Sequence, residues 1–302
     1  IMKLVSKTVL ACALLCAGFA AAQETDNDPR SMGGGNCSAS PYNCEGVANP
    51  LPAVDTIWIE DMTWMDVRDA IANGKTTAIV PAGGIEPNGP WAALGKHDYI
   101  IKMLCESIAR KLGNALCAPV IAYVPQGNID VKEGFMKSPG TMGVTNETYE
   151  ALVTDIARAL KTHGFKRIVL IGDHAGDVKG MQAAAAKLSA AWNGSPAIAY
   201  VPEFYKSWDG AVDLLHAKGV GKKDVVDGLH DDPTVTTLMM LYDPKTVRWD
   251  ERRKLGKLSI DGVSVADKKQ ALAWGRELLD YRTRVTVEAI DKAFAPAQGP
   301  SP

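Results

Sequence analysis

Glu86 and His97 share one glycine- and proline-rich stretch, in which Pro81-Ala82-Gly83-Gly84-Ile85-Glu86-Pro87-Asn88-Gly89-Pro90 runs on to Leu94-Gly95-Lys96-His97-Asp98. Another imidazole, His174, stands in Gly172-Asp173-His174-Ala175-Gly176-Asp177. A carboxylate and two imidazoles make a donor set for a divalent cation, and imidazole nitrogen suits zinc, iron or manganese. Each residue also has an ordinary reading. A histidine after a strand is often structural, and an aspartate in a glycine-rich turn often caps a helix. Asp98 is read as the N-cap of the helix that follows it, and for His174 and Asp177 spacing alone leaves a metal role open.

These residues need an alternation of helix and strand to position them. Trp64, Val67 and Ile71 fall on one helical face, and Thr76 to Val80 forms a short apolar strand. Ile100, Ile101, Leu104, Ile108 and Leu112 repeat helically as far as Gly113. An apolar strand follows from Ala115 to Val124, then a loop punctuated by Gly and Pro to Asn146, then a helix with Tyr149, Leu152, Ile156 and Leu160 on one face. Ile168-Val169-Leu170-Ile171 is a continuous apolar run, as a central parallel strand requires. A helix over 178–192 and a strand over 197–201 come next. Helices dominate the C-terminal part, one opening near Pro233 and a long one from Ala266 to Phe294. The order is that of an α/β protein with a doubly wound sheet. Ligands of such sheets bind beyond the carboxyl ends of the strands, so the loops after Val80, Val124, Ile171 and Val201 should build the site.

The bulk properties narrow the setting. With 33 basic and 35 acidic residues the net charge is -2, which gives no footprint for nucleic acid or an anionic membrane. Lys3 and Lys7 precede an apolar run from Val9 to Ala22 that ends in small residues. Residues 1–22 are therefore read as a secretory signal peptide cleaved before Gln23, leaving a periplasmic or secreted protein with no membrane anchor. Residues 23–55 show no hydrophobic period and are read as a flexible segment stapled by a Cys37–Cys44 disulfide. Cys105 and Cys117 are either buried small apolar residues or a second disulfide. Residues 56–295 form the expected single domain and 296–302 a tail.

Several segments, taken in order, resemble the creatininase family. Gly83-Gly84-Ile85-Glu86-Pro87-Asn88-Gly89-Pro90 with Leu94-Gly95 is similar to the family's G-S-x-E-Q-H-G-P and L-G-T-D. Ser138-Pro139-Gly140-Thr141 resembles F-P-G-T, and His163-Gly164-Phe165-Lys166-Arg167-Ile168-Val169-Leu170 with Gly172 to Asp177 resembles H-G-F-R-R-I-V-L and N-G-H-G-G-N. His230 with Thr236-Thr237-Leu238-Met239 resembles H-A-G-x-x-E-T-S-L-M. The likeness runs from Thr63 to Ala293. It implies a three-layer αβα sandwich with a mostly parallel central sheet, metal-dependent hydrolysis of cyclic or linear amides, and a symmetric homo-oligomer.

The departures reshape the implied site. Glu86 and His174 match family ligands, but Asn88 stands where a ligand histidine is expected, His97 where an aspartate bridges two metals, and Gly176 where an acid can follow. A neutral amide is a poor zinc ligand and an imidazole cannot bridge two cations. The resemblance thus implies one divalent metal, zinc with manganese or iron as alternatives, on Glu86, His97 and His174, with room for a water. His230 is the favoured proton-transfer residue, with Asp177 and Asp232 as candidates. Asp231 and Asp232 replace a small pair and could equally orient a water or cap the helix at Pro233, and Val235 replaces a family glutamate. Asn88, Trp91 and Tyr205 are the expected contacts to a small-molecule amide, among an aromatic and apolar set that includes Phe135, Met136, Phe204 and Trp208. A serine esterase is excluded for want of G-x-S-x-G, and Gly74-Lys75-Thr76 is no P-loop because Asp69 takes the first glycine position. The competing function is a non-catalytic small-molecule-binding protein with a degenerate metal site.

Overall fold

Short apolar runs in this chain become the strands of one parallel sheet, and the computed structural model shows what flanks them. It describes residues 48–49, 51–221 and 229–295. The signal segment, the Cys37–Cys44 pair and the 296–302 tail lie outside the described residues. The chain divides after Pro52, and every element below belongs to the part from Ala53 onward. In order these are α1 (Trp64–Ala72), β1 (Thr77–Ala82), α2 (Lys96–Leu112), β2 (Ala115–Cys117), α3 (Asn146–Thr162), β3 (Arg167–Gly172), α4 (Asp177–Trp192) and β4 (Ala197–Tyr200). Then come α5 (Pro202–His216), α6 (Pro233–Tyr242), α7 (Trp249–Lys254), a small hairpin of β5 (Ser259–Ile260) and β6 (Val263–Ser264), and α8 (Lys268–Ala293).

The sheet has the order β2-β1-β3-β4, and each neighbouring pair is parallel. Successive side chains of a strand point to opposite faces, which sorts the core into two halves. Ile79, Val169 and Ile171 pack with residues of α2, α5, α6 and α8, whereas Ala78, Val80, Ile168 and Leu170 pack with residues of α1, α3 and α4. This is the three-layer αβα sandwich, and the burial of β1 on both faces explains its unbroken apolar run.

Three local expectations change. Only Ala115–Cys117 of the apolar run to Val124 forms a strand. Pro119 has no N–H to give a ladder, and beyond it the chain keeps only isolated bridges from Ile121 to Ala82 and from Val124 to Gly143. Asp98 is not an N-cap, because α2 begins at Lys96 with Gly95 in the capping position. Asp98 Oδ1 instead accepts from the Gly84 N–H at 2.9 Å, so closely that a Cβ on Gly83 would stand 2.0 Å from that oxygen. The helix α5, which the sequence reading did not single out, opens on Pro202 at its first position, where the missing N–H costs nothing.

Of the two readings for Cys105 and Cys117, the structure has the disulfide, which ties α2 to β2 across 12 residues in the fully buried core. Among the described residues no helix is long and apolar enough to cross a membrane. Replacing both cysteines by alanine is expected to lower unfolding stability by about 2–3 kcal/mol through lost loop closure, read as a shift in the urea midpoint of the oxidised protein.

Candidate metal centre

A change of direction in the strand order locates the site. The chain leaves β1 for α2 on one face and leaves β3 for α4 on the other, which opens a crevice where the carboxyl ends of β1 and β3 meet. Glu86 follows β1, His174 follows β3, His97 lies in the first turn of α2, and His230 precedes α6. Glu86 is 1 % exposed and is the hub. Its Oε1 lies 2.8 Å from Lys96 Nζ, 2.9 Å from His97 Nε2 and 3.0 Å from His230 Nδ1, and its Oε2 lies 2.9 Å from His174 Nε2. Burial alone would raise the Glu86 carboxyl, but the nitrogens of His174, His230 and His97 overturn this and hold it far below the usual carboxylate range. Burial draws the Lys96 ammonium down from its ordinary value, against the opposing pull of Glu86.

A second network fixes the imidazole of His97. Its Nδ1 lies 2.7 Å from Asp173 Oδ2, while Asp173 Oδ1 accepts from Arg282 Nη2 at 2.8 Å and Trp208 Nε1 at 3.1 Å. Arg282 is fully buried, donates through Nε to Ser207 Oγ, and lies 4.0 Å from the centre of the Trp208 ring. Burial would raise Asp173, yet Arg282 and His97 bring it below the ordinary value. A third pair holds the His230 loop. Asp231 accepts from Arg252 Nη2 at 2.6 and 2.8 Å, and His230 beside it takes the left-handed backbone conformation with φ of 53°.

Glu86, His97 and His174 offer ligand atoms that all lie within 4.8 Å of one another, so the set can share one cation. The donor chemistry fits. With Nδ1 donating to Asp173, His97 could offer Nε2 to a cation shared with Glu86, as metal-binding histidines backed by a carboxylate do. His174 Nδ1 accepts from the Gly176 N–H at 2.9 Å, so a neutral ring carries its proton on Nε2 and a cation there would take that proton's place. Gly176 is required for this approach, since a Cβ would meet Pro125 O at 2.1 Å.

A cavity of about 340 Å³ opens over these groups, with Phe135, Tyr205 and Trp208 as aromatic walls and His230 and Asp232 at its margin. Tyr205 is therefore where a substrate contact was expected. Asn88 and Trp91 are not among the lining residues. Asn88 Nδ2 donates to the carbonyls of Glu86 and Ala93, tying down its own loop, and Trp91 lies beside the Arg252 guanidinium and lines a neighbouring cavity. Asp177 is also outside the pocket lining. Fully buried, it accepts from the His174 N–H and is raised well above its ordinary value by burial, so it positions His174. Asp232 faces the pocket but its Oδ1 caps α6 by accepting from Thr234 and Val235. Residue patterns missed Asp173, Lys96 and Arg282. Arg282 did leave a trace, since it falls with Leu278 and Thr286 on the buried stripe of α8.

The sequence model of the creatininase family, described as creatinine amidohydrolase, matches residues 60–288. The chain belongs to the creatininase family. Creatinine amidohydrolase of Pseudomonas putida is 26% identical over 119 residues, 39% of this chain and 45% of that protein. Mycofactocin precursor peptide peptidase of Mycolicibacterium smegmatis is 30% identical over 115 residues, 36% of this chain and 44% of that protein. A 3-dehydro-scyllo-inosose hydrolase of Thermotoga maritima is 24% identical over 119 residues, 39% of this chain and 36% of that protein. The matched stretch thus spans less than half the length of each relative. A crystal structure of creatinine amidohydrolase (creatininase) superposes with a TM-score of 0.59 at 20% identity, covering 81% of this chain and 100% of that one. A Zn–Zn form of a creatininase mutant gives 0.60 at 19% identity, covering 80% and 100%. At these identities the likeness establishes the fold.

Arg282→Met would leave Asp173 buried without its cation. The expected cost is about 3–5 kcal/mol, the usual penalty for breaking a buried ion pair, measured by urea unfolding. A loss no larger than that of a surface substitution would show that Asp173 is not held as described.

Proposed function

We propose that this pocket hydrolyses a C–N bond of a small cyclic or linear amide, with one divalent cation held by Glu86, His97 and His174. The observation that carries the reading is the convergence of a carboxylate and two imidazoles within 4.8 Å at the floor of a cavity of small-molecule size. Relatives named for amide and peptide hydrolysis support the reaction class, and solved relatives described as Zn–Zn and Mn forms support a metal. Zinc is the expected ion, with manganese or iron as alternatives. When bound, such an ion supplies Lewis-acid polarisation of a carbonyl and activation of water for attack.

The chain's own groups divide the remaining work. His230 is 34 % exposed on its side chain and lines the pocket, and with Nδ1 turned onto Glu86 Oε1 its other ring nitrogen is the one to take a proton from the attacking water and return it to the leaving nitrogen. Asp173 and Arg282 keep the His97 ring from turning. Phe135, Tyr205 and Trp208 present apolar surface that excludes bulk water and favours a planar substrate. Asp232 lines the pocket margin while capping α6, which leaves its Oδ2 for a polar group of the ligand. The signal-like N-terminus and the buried Cys105–Cys117 disulfide support an exported protein in an oxidising compartment, and a homo-oligomer is part of the same proposal.

The test is a screen of cyclic amides, lactams and formamides with zinc or manganese, alongside metal analysis of the mature protein. His174→Ala is expected to lose both metal and hydrolysis. His230→Ala is expected to keep its metal but lower kcat by about 10²-fold or more, the usual contribution of a positioned acid–base group. Wild-type protein that binds no divalent ion, together with hydrolysis unchanged in His174→Ala, would remove the metal mechanism. A second reading, a non-catalytic binding protein, draws on the ammonium of Lys96 already neutralising Glu86. Saturable ligand binding with no turnover across the screen would favour it.

A further inference from the structure

Lys96 is a buried cation in an unfavourable place. It is the first residue of α2, at the helix end that carries partial positive charge and disfavours cations. It is 3 % exposed, yet it lines the pocket. What offsets both costs is Glu86, whose Oε1 lies 2.8 Å from its Nζ. Among the described residues that is the ammonium's hydrogen bond to protein. An ammonium has three N–H groups, so two remain for whatever enters the pocket.

Two buried carboxylates meet two buried cations around it. Glu86 and Asp173 are the buried carboxylates of the centre, Lys96 and Arg282 the buried cations, and each carboxylate has its own cation at 2.8 Å. One divalent ion would therefore share Glu86 with a fixed positive charge, and a second would add further positive charge to a centre whose other pocket carboxylates among the described residues are Asp232, its Oδ1 already capping α6, and the exposed Asp209. Asn88, turned onto backbone carbonyls, supplies none.

We propose that the Lys96 ammonium is the second cation of this centre, built into the chain: it holds Glu86 Oε1, limits the site to one metal ion, and binds the carbonyl oxygen of an amide substrate through its remaining N–H groups. The inference rests on the amidohydrolase reading for the substrate's identity, but its effect on metal binding does not depend on turnover. A fixed donor aimed at the oxygen where negative charge develops is the role a second metal would otherwise fill. Lys96 would thus be a catalytic residue, unlike Arg282, which acts through Asp173 on His97 and is a positioning residue.

The experiment is titration of the full chain with Zn2+ and with Mn2+, comparing wild type with Lys96→Met, Lys96→Gln and Lys96→Arg, each checked for folding by circular dichroism. Wild type is expected to bind one equivalent. Lys96→Met and Lys96→Gln, which remove the charge competing for Glu86, should bind on the order of tenfold more tightly or accept a second ion. Lys96→Arg, which keeps the charge, should retain wild-type affinity. On an amide found in the screen, Lys96→Met should lower kcat by roughly 10²-fold, as loss of one oxyanion donor does. Tighter metal with slower turnover is a combination that a merely structural lysine would not produce. Two ions bound by wild type, or unchanged affinity and stoichiometry in both neutral variants, overturns the inference. A wild type that binds none overturns the inference together with the resident metal of the proposed function, whereas the expected metal results with no turnover of any amide overturn the amidohydrolase reading and leave the effect of Lys96 on metal binding standing.

Discussion

A carboxylate with almost no access to water organises this protein. Glu86 would be costly to ionise in its position, and the nitrogens of Lys96, His97, His174 and His230 converge on it to make ionisation favourable. Those four residues come from the first turn of α2, the loop after β3 and the loop before α6. The requirement to surround one buried charge therefore fixes how several elements meet at the crevice between β1 and β3. Removing the carboxylate would take the shared partner from the buried Lys96, His97 and His174 at once, in a region with little water to replace it.

The outer support is also ionic, and it comes from the C-terminal half. Arg282 of α8 reaches Asp173 beside β3, and Arg252 of α7 reaches Asp231 beside His230. Both guanidiniums are among the largest fully buried side chains, and both lie against tryptophan rings. A buried arginine paired with a buried carboxylate is weak evidence for added stability, but it holds its partner in place, since neither can move without leaving the other unpaired. The helices after the sheet thus do more than cover one face: they hold the two loops on which the site chemistry depends.

Membership of the creatininase family accounts for the architecture, while the site differs from the family pattern where charge matters most. Where the pattern has a histidine this chain has Asn88, and Asn88 stitches backbone together. Where the pattern has an aspartate it has His97, and the preceding residue is the buried Lys96. Loss of an acid and gain of a lysine change the centre in the same direction, toward less negative charge. The three relatives compared carry names for three different substrates, so the shared scaffold by itself does not select one.

Sequence alone determined the βα order, the central position of Ile168–Ile171, and the three residues that could share a cation, because those features are local: apolar period reports which face is buried, and glycine-rich stretches after strands mark where loops must turn tightly. Only the tertiary structure decided which charges pair. Asp173 and Arg282 are separated by 109 positions, and no periodicity encodes a contact made when α8 folds back over α2 and α5. The same reason explains why Asp98 was mistaken for a cap, why Asn88 and Trp91 were placed in the pocket, and why Cys105 and Cys117 stayed undecided until α2 lay beside β2. It also explains Lys96. In the sequence it is a polar residue beside a histidine, and only burial next to Glu86 turns it into part of the centre.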